Sequence, residues 1–505
     1  MEADGVSGRE PSWWATALAI GVIAAAMFAL VVTQWAGFIE SDDLFYARAA
    51  RAYLDHFPAL PVTHGGLRHT IIWPMAAAFA LFGENEATLT SVPPAYLLAL
   101  LVLVFVATMR LAGRRAALIA TAFAATSPML TVAAGYGTTD VPEAFYLMAS
   151  LFAFLAGLRG GRRRMFVLAG VSAALALLTR ETTAALLVFY GVLFLAGYGG
   201  RRSDYLWIAA GALPVLLLDW GALFIASGDP LYRVHVTLNG VAHDGPQLAA
   251  AQGERDNTLL PVPDLVRPVA MLFLHQNFGL FTWLCLPLAA LGAGTMPAGR
   301  RRQVVRLLLL FGFCWMTVNF YALSAYLWVI SRYMLVMVPV LAVAAALAVD
   351  TLEPIRLPWR VVSGFAMALV VAGAIAGVRD TKLMFGERAL VGFVAGQPGP
   401  VVTDPATLLG AAWLLHVRGL DGRVTEGMPR PGAVWFANEA PRRRNPQPTV
   451  VPGSAWPVLA SYAAPAPILV SALRGSAVER LLPPSIVAKL HAPTRRAVAY
   501  LVPEH

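Results

Sequence analysis

Glu40-Ser41-Asp42-Asp43-Leu44-Phe45-Tyr46 follows directly on the first long apolar run of the chain, about residues 14–36. Two adjacent carboxylates at the exit of such a run are costly to hold in lipid, where a charge at the bilayer centre costs at least ~3 kcal/mol. They are tolerable at the interface or against an aqueous cavity. Reading the run as a membrane span therefore decides the fold class and raises the question of what the carboxylates do. Before the run stand Glu2, Asp4 and Glu10 against a single Arg9, and no small-residue cleavage site follows it. It reads as a retained helix rather than a signal peptide.

The whole chain agrees. Of 505 residues, 58% are hydrophobic and 13% charged, with a mean hydropathy of +0.64. That is a polytopic helical membrane composition, not a soluble one. The net charge of +9 does not point to nucleic acid, because the basic residues cluster between apolar segments. Cys285 and Cys314 both lie in apolar segments and suggest neither a disulfide framework nor a thiolate metal site.

Beyond the first span, residues 38–88 read as one large outer loop with two helices along the membrane. One is amphipathic, around Tyr46–Leu54. The other, about 70–82, is apolar but short and contains Pro74. Further spans are expected at about 89–109, 116–134, 141–158, 165–180, 183–198, 205–226, 270–293, 307–327, 333–349 and 361–378, giving about 11 transmembrane helices. The 270–293 span is interrupted by His275, Gln276 and Asn277. Basic clusters at Arg110/Arg114/Arg115, Arg159/Arg162/Arg163/Arg164, Arg201/Arg202, Arg300/Arg301/Arg302/Arg306 and Arg356/Arg360 recur at alternate connections. The positive-inside rule puts them and the N-terminus in the cytoplasm. The outer side then receives the 38–88 loop, the turns at Asp140, at Arg180-Glu181 and at Ser331-Arg332-Tyr333, the long 227–268 loop, and everything after about 379.

After Val378 the composition turns rich in Pro and Gly. Val401-Val402-Thr403, Ala433–Phe436 and Ala497–Leu501 read as strands, and Pro405–His416 as a helix capped by Asp404. The chain thus divides into a transmembrane domain, 1–378, and a small extracytoplasmic α/β domain, 379–505.

Each outer motif has a plain structural reading. Asp42-Asp43 suits a solvated helix start. Gly137-Thr-Thr-Asp140-Val-Pro142-Glu143-Ala-Phe145 suits an N-cap at Asp140 with Pro142 in the first turn. Thr179-Arg180-Glu181 suits a self-neutralised pair at a membrane turn. Leu67-Arg68-His69-Thr70-Ile-Ile-Trp-Pro74 suits headgroup anchoring. Ser331-Arg332-Tyr333-Met-Leu-Val-Met-Val-Pro339 suits a snorkelling arginine. Gly228-Asp229-Pro230-Leu231-Tyr232 is a turn with no chemistry to assign.

In order, spacing and common outer placement, these motifs over roughly residues 15–350 resemble the GT-C superfamily of polyprenyl-phosphate-sugar-dependent glycosyltransferases. The likeness is closest to the branch of protein O-mannosyltransferases and the lipid A aminoarabinose transferase. The acidic pair in the first outer loop, the Thr-Asp-x-Pro and the Arg-Tyr-x(5)-Pro carry it. Two departures stand out: Asp43 where that branch has Glu, and no double proline after His69. The resemblance implies Asp42, Asp43 and Asp140 as catalytic carboxylates, with Tyr46, Glu143 and Glu181 orienting substrate. Arg332, Tyr333, Arg68, His69 and Arg180 would bind the donor phosphate, since an arginine fork suits phosphate oxygens.

The implied activity is inverting transfer of a hexosyl or pentosyl group from a polyprenyl-phosphate-linked sugar donor to a lipid, glycan or protein acceptor. The expected place is the outer face of a bacterial inner membrane, among membrane lipids and without nucleic acid. No ligand spacing demands a cofactor, and a divalent metal stays open, for which Asp42, Asp140 and His69 could supply ligands. The competing classes are a transporter or flippase of a lipid-linked substrate and a non-catalytic cell-envelope assembly protein. No internal repeat favours the first.

Overall fold

The computed structural model describes residues 13–57, 59–198, 201–239, 266–275, 277–322, 331–351, 359–380, 384–438, 453, 455–464, 474–477, 479–481, 484, 487, 491 and 496–504. The N-terminal charges, Gln276, Arg356, the end of the 307–327 run and most of the 227–268 loop lie outside them.

Every expected span contains helix. The helices are α1 (Trp13–Thr33), α2 (Asp42–Asp55), α3 (His69–Phe82), α4 (Glu86–Thr90), α5 (Val92–Ala112), α6 (Arg114–Ala125), α7 (Pro128–Ala133), α8 (Asp140–Gly160), α9 (Arg163–Thr179), α10 (Ala184–Ala196) and α11 (Arg202–Ser227). There follow α12 (Arg267–Leu274), α13 (Gly279–Thr295), α14 (Arg300–Thr317), α15 (Met337–Thr351), α16 (Trp359–Asp380), α17 (Phe385–Ala395) and α18 (Pro405–His416). By length and composition, 6 helices among the described residues can each cross a membrane. The chain is a multi-pass membrane protein.

Two expected spans are broken, for local reasons. The 116–134 run divides into α6 and α7 at Thr126-Ser127, because Pro128 disfavours helix in the residue before it. The 270–293 run divides at His275–Phe278, where polar residues interrupt the apolar pattern. Elsewhere the bundle closes through small residues, the usual device where lipid gives helices no hydrophobic reason to pair. A Cβ on Gly170 of α9 would overlap the Ile208 carbonyl of α11, and one on Gly211 would overlap the Val167 carbonyl, so these helices touch backbone to backbone. Helix α15, an Ala- and Val-rich stretch, is buried through nearly its whole length and forms the bundle's centre.

The C-terminal region holds a five-stranded sheet in the order β2-β1-β3-β5-β4. Its strands are β1 (Val401–Thr403), β2 (Val424–Glu426), β3 (Val434–Asn438), β4 (Val458–Ala463) and β5 (Arg496–Leu501). The first three run parallel; β5 is antiparallel to β3 and β4. The strands β2 and β4 had no clear signal: one is three residues long and the other mostly exposed. Helix α18 starts as its sequence predicts, with Asp404 Oδ1 accepting from the Thr407 amide at 2.8 Å.

This region shares one core with the 38–88 segment. Phe38, Tyr46, Ile72 and Phe79 pack in the same cluster as Leu390, Phe393, Trp413 and Phe436. Phe38 and Trp413 have ring centroids 4.8 Å apart. The sheet region therefore holds the loop that carries Asp42.

Candidate functional site

The loop before α2 is pinned from three sides. The amides of Ala36 and Gly37 both donate to the Gly135 carbonyl, at 3.0 and 3.2 Å. Phe38 N donates to Glu86 Oε1 at 2.7 Å. Arg388 of α17 pairs with the same Glu86 and also donates to the carbonyls of Ala36 and Phe38, at 3.0 and 3.2 Å. Gly37 has φ +70, and a Cβ there would collide with Glu86, so glycine is required both for conformation and for space.

Asp43 completes the pinning. Its Oδ2 accepts from Ile39 N at 2.7 Å, and its Oδ1 from Ser41 N at 2.7 Å and Leu44 N at 3.1 Å. Burial pushes this carboxyl up to about 7, against the pull of the three amides. Both oxygens of Asp43 thus serve the loop, and Glu40 is held at φ 54 beside them. Asp42 is left to point the other way.

Asp42 faces two guanidiniums. Its Oδ2 lies 3.0 Å from Arg332 Nη2 and 3.7 Å from Arg68 Nη1, and its side chain keeps 22% exposure. Burial alone would raise this carboxyl. The charges of Arg332, Arg68 and Arg180 outweigh it and hold Asp42 well below the usual carboxylate range. Arg68 is itself buried, donates to the Tyr46 hydroxyl, and has Glu181 Oε2 at 3.9 Å. Burial pushes the Tyr46 hydroxyl up to about 12, so it stays neutral.

Arg180 sits deeper. It forms a close pair with Asp140, has Glu143 Oε2 at 3.7 Å, and lies 4.5 Å from the centroid of the Tyr333 ring. Glu143 is held in turn by the hydroxyls of Thr182 and Thr183. The expectation that Asp140 caps α8 is corrected here. The cap position is Thr139, Asp140 is the first helical residue, and its carboxylate turns to Arg180 rather than to backbone amides. A buried guanidinium is a stronger partner than an end-of-helix N–H.

One group therefore gathers Asp42, Arg68, Arg332, Arg180, Asp140, Glu143, Glu181, Tyr46 and Tyr333 from five separate stretches of sequence. His69 is not in it. Although next to Arg68, its ring faces the opposite side of the chain. Its Nδ1 lies 2.7 Å from Asp219 Oδ1, its Nε2 lies 2.8 Å from the Tyr53 hydroxyl, and the ring stacks on Trp73. With both nitrogens engaged there, His69 cannot join Asp42 and Asp140 as a metal ligand. No group of three His, Cys, Asp or Glu suited to a metal occurs among the described residues.

Sequence reading missed the residues of that second network. Asp219 lies within α11 and accepts from Arg233 at 2.8 and 3.2 Å, and Arg233 Nη2 also donates to the Leu67 carbonyl at 2.8 Å. A lone carboxylate in an apolar span was the available signal. The unassigned turn at 228–232 also gains a role. It brings Arg233 back to α11, and the Tyr232 hydroxyl donates to the Pro61 carbonyl at 2.9 Å. Glu86 and Arg388 gave no signal, being 302 residues apart and ordinary in their own segments.

Comparison with known proteins agrees with this architecture. Its fold is that of the GT-C glycosyltransferases. The solved structure of ArnT from Cupriavidus metallidurans bound to undecaprenyl phosphate superposes with a TM-score of 0.56 at 14% identity, covering 85% of this chain and 94% of that one. The oligosaccharyltransferase AglB from Archaeoglobus fulgidus, solved with an inhibitory peptide and a dolichol-phosphate, gives a TM-score of 0.50 at 15% identity, over 80% of this chain and 64% of the other. Residues 70–220 match the family described as dolichyl-phosphate-mannose-protein mannosyltransferase. No curated protein matches the chain in sequence. The resemblance to the GT-C superfamily, and within it to the O-mannosyltransferase and aminoarabinose-transferase branch, holds.

Proposed function

We propose that this chain is an integral-membrane glycosyltransferase that takes its sugar from a polyprenyl-phosphate donor and works at the outer face of a bacterial inner membrane. The observation that carries the proposal is that two guanidiniums, Arg68 and Arg332, converge on the partly exposed carboxylate of Asp42, with Glu181 on the far side of Arg68. Guanidiniums at a partly exposed edge suit an anionic donor, and the carboxylate beside them suits a general base.

In this reading Arg332 and Arg68 bind the donor phosphate, and Asp42 takes the proton of the acceptor. The acceptor oxygen forms its bond to the anomeric carbon as the bond from that carbon to the phosphate oxygen breaks. The negative charge then grows on a phosphate held by the two arginines. One in-line displacement inverts the anomeric centre.

Asp42 against its arginines alone is a weak base, because they hold its pKa low. A donor phosphate competes for the same guanidiniums and so raises the basicity of Asp42 when it is needed. Asp140 and Glu143 keep Arg180 in place beneath the site, with Tyr333 over it. Asp43 acts by fixing the loop, and His69 by fixing the backbone beside Arg68. The acceptor, whether lipid, glycan or protein, meets Asp42 from its exposed side, near Glu181 and Tyr46.

The test is Asp42→Asn in the purified full chain. Sugar transfer from a polyprenyl-phosphate donor should fall by ~10²–10⁴-fold, the range for a general base, while donor binding persists. Transfer by this variant at the wild-type rate would remove Asp42 from the mechanism.

A further inference from the structure

The groove between α5, α8 and α9 has no part in the reaction above. It is a cavity of about 820 Å³, within the size range of ligand sites. Leu103, Phe152, Ala156 and Leu168 are among its apolar lining residues, and the alanines of α8 leave the room. Arg110, Arg159 and Arg162 line one end.

Among the described residues, arginines elsewhere on this side of the bundle do not line an apolar cavity of this kind. Arg301 pairs with Asp350 at 3.0 Å, and Arg302 and Arg306 are spent on the carbonyls of Ala293 and Gly294. At the groove, Arg159 Nη1 donates to the Arg110 carbonyl at 2.6 Å, and the Arg162 side chain folds back over Gly160, 3.3 Å from where a Cβ would be. No carboxylate lines the groove, and none of the three guanidiniums has an ion pair among the described residues. Their depth is set by α8. It begins at Asp140 in the charged cluster and runs 21 residues, or about 30 Å at 1.5 Å per residue, the thickness of the hydrocarbon core. The arginines therefore lie at the headgroup level of the leaflet opposite the site.

We propose that this groove binds one anionic phospholipid. Arg110, Arg159 and Arg162 hold its phosphodiester headgroup, and an acyl chain lies along the wall of Leu103, Phe152 and Leu168. An apolar groove open to lipid takes a hydrocarbon chain, and three guanidiniums without carboxylate partners at headgroup depth select a negative headgroup.

The experiment is native mass spectrometry of the full chain in neutral detergent, titrated with phosphatidylglycerol or with phosphatidylcholine of the same acyl chains. One phosphatidylglycerol should be retained in preference to phosphatidylcholine. At roughly 1 kcal/mol for each basic residue near the headgroups, Arg110→Gln/Arg159→Gln/Arg162→Gln should weaken retention ~100-fold. Ala156→Trp, which fills the groove and keeps every arginine, should weaken it as well, so the proposal stays testable if the triple variant fails to fold. Equal retention of the two lipids overturns the proposal, as does unchanged retention by either variant. Displacement by inorganic phosphate alone overturns it by showing a simple anion site. Preferential retention of a polyprenyl phosphate at the same arginines overturns it by naming a different lipid.

Discussion

Arg68 and His69 are neighbours in sequence and belong to opposite networks. Arg68 turns to Asp42, Glu181 and Arg332, where both carboxylates stay partly exposed. His69 turns to Asp219, where both carboxylate oxygens, both ring nitrogens and the Arg233 guanidinium are matched to partners in a buried site. The first network keeps exposed carboxylates; the second is saturated. A closed network holds a shape. A network with an open side leaves its charges within reach of a ligand. The Leu67 carbonyl, bonded to Arg233, and the Asp219–His69 bond together fix the backbone that presents Arg68, so the closed network supports the open one.

Four variants can break or sharpen this contrast. Asp42→Asn gives the largest expected effect, the loss of transfer already described, with little change in thermal stability because the open network does not hold the fold. A large fall in melting temperature instead would put both networks in the same structural class. Arg332→Gln comes next. Losing one charge-assisted contact of ~1.5–3 kcal/mol should raise the KM for the donor by roughly 10–100-fold, read from initial rates at varied donor. An unchanged KM would mean that the phosphate binds elsewhere.

Asp219→Asn should act on stability first. It leaves Arg233 buried without its counter-charge, which costs ~3 kcal/mol when one partner of a buried pair is removed. Thermal unfolding in detergent measures the loss, and Asp219→Asn/Arg233→Gln should recover part of it. Failure of the double variant to recover would show that the network is not a pairwise closed unit.

The last variant concerns Asp43, read as a pH dependence. Its carboxyl stands at about 7 in the fold against 3.8 as the ordinary value. Between those values the native state keeps a proton that the unfolded chain has lost, so this group's contribution to stability falls as pH rises from about 4 to 7. Asp43→Asn should flatten that part of the melting-temperature profile. An equal slope in the variant would assign it to another group.

Much of the fold is legible in the chain itself. Apolar runs of spanning length demand helices, because backbone N–H and C=O groups have no other partners in lipid. Punctuation such as Pro128 and Asp404 sets where helices break or begin, although the break at Thr126-Ser127 needed the structure to decide between a kink and a continuous span. The site was legible in part. The costly charges at Asp42, Asp140, Arg180 and Arg332 stand out against apolar neighbours, and their order resembles that of a known superfamily.

What sequence could not supply was pairing. Side-chain direction is fixed by helix rotation and loop path, which depend on packing throughout the bundle. Thus Arg68 and His69, one residue apart, could not be sorted into different networks. Nor could Asp140 be read as the partner of Arg180 rather than as a cap. Glu86 and Arg388 meet only because the sheet region docks on the 38–88 segment. The sequence by itself determined that this is a membrane bundle with carboxylates and arginines at one edge, because solvation energy is written in residue type. The tertiary structure alone decided which of those charges cancel and which stay available, because charge balance is set by distances of 3–4 Å between residues far apart in the chain.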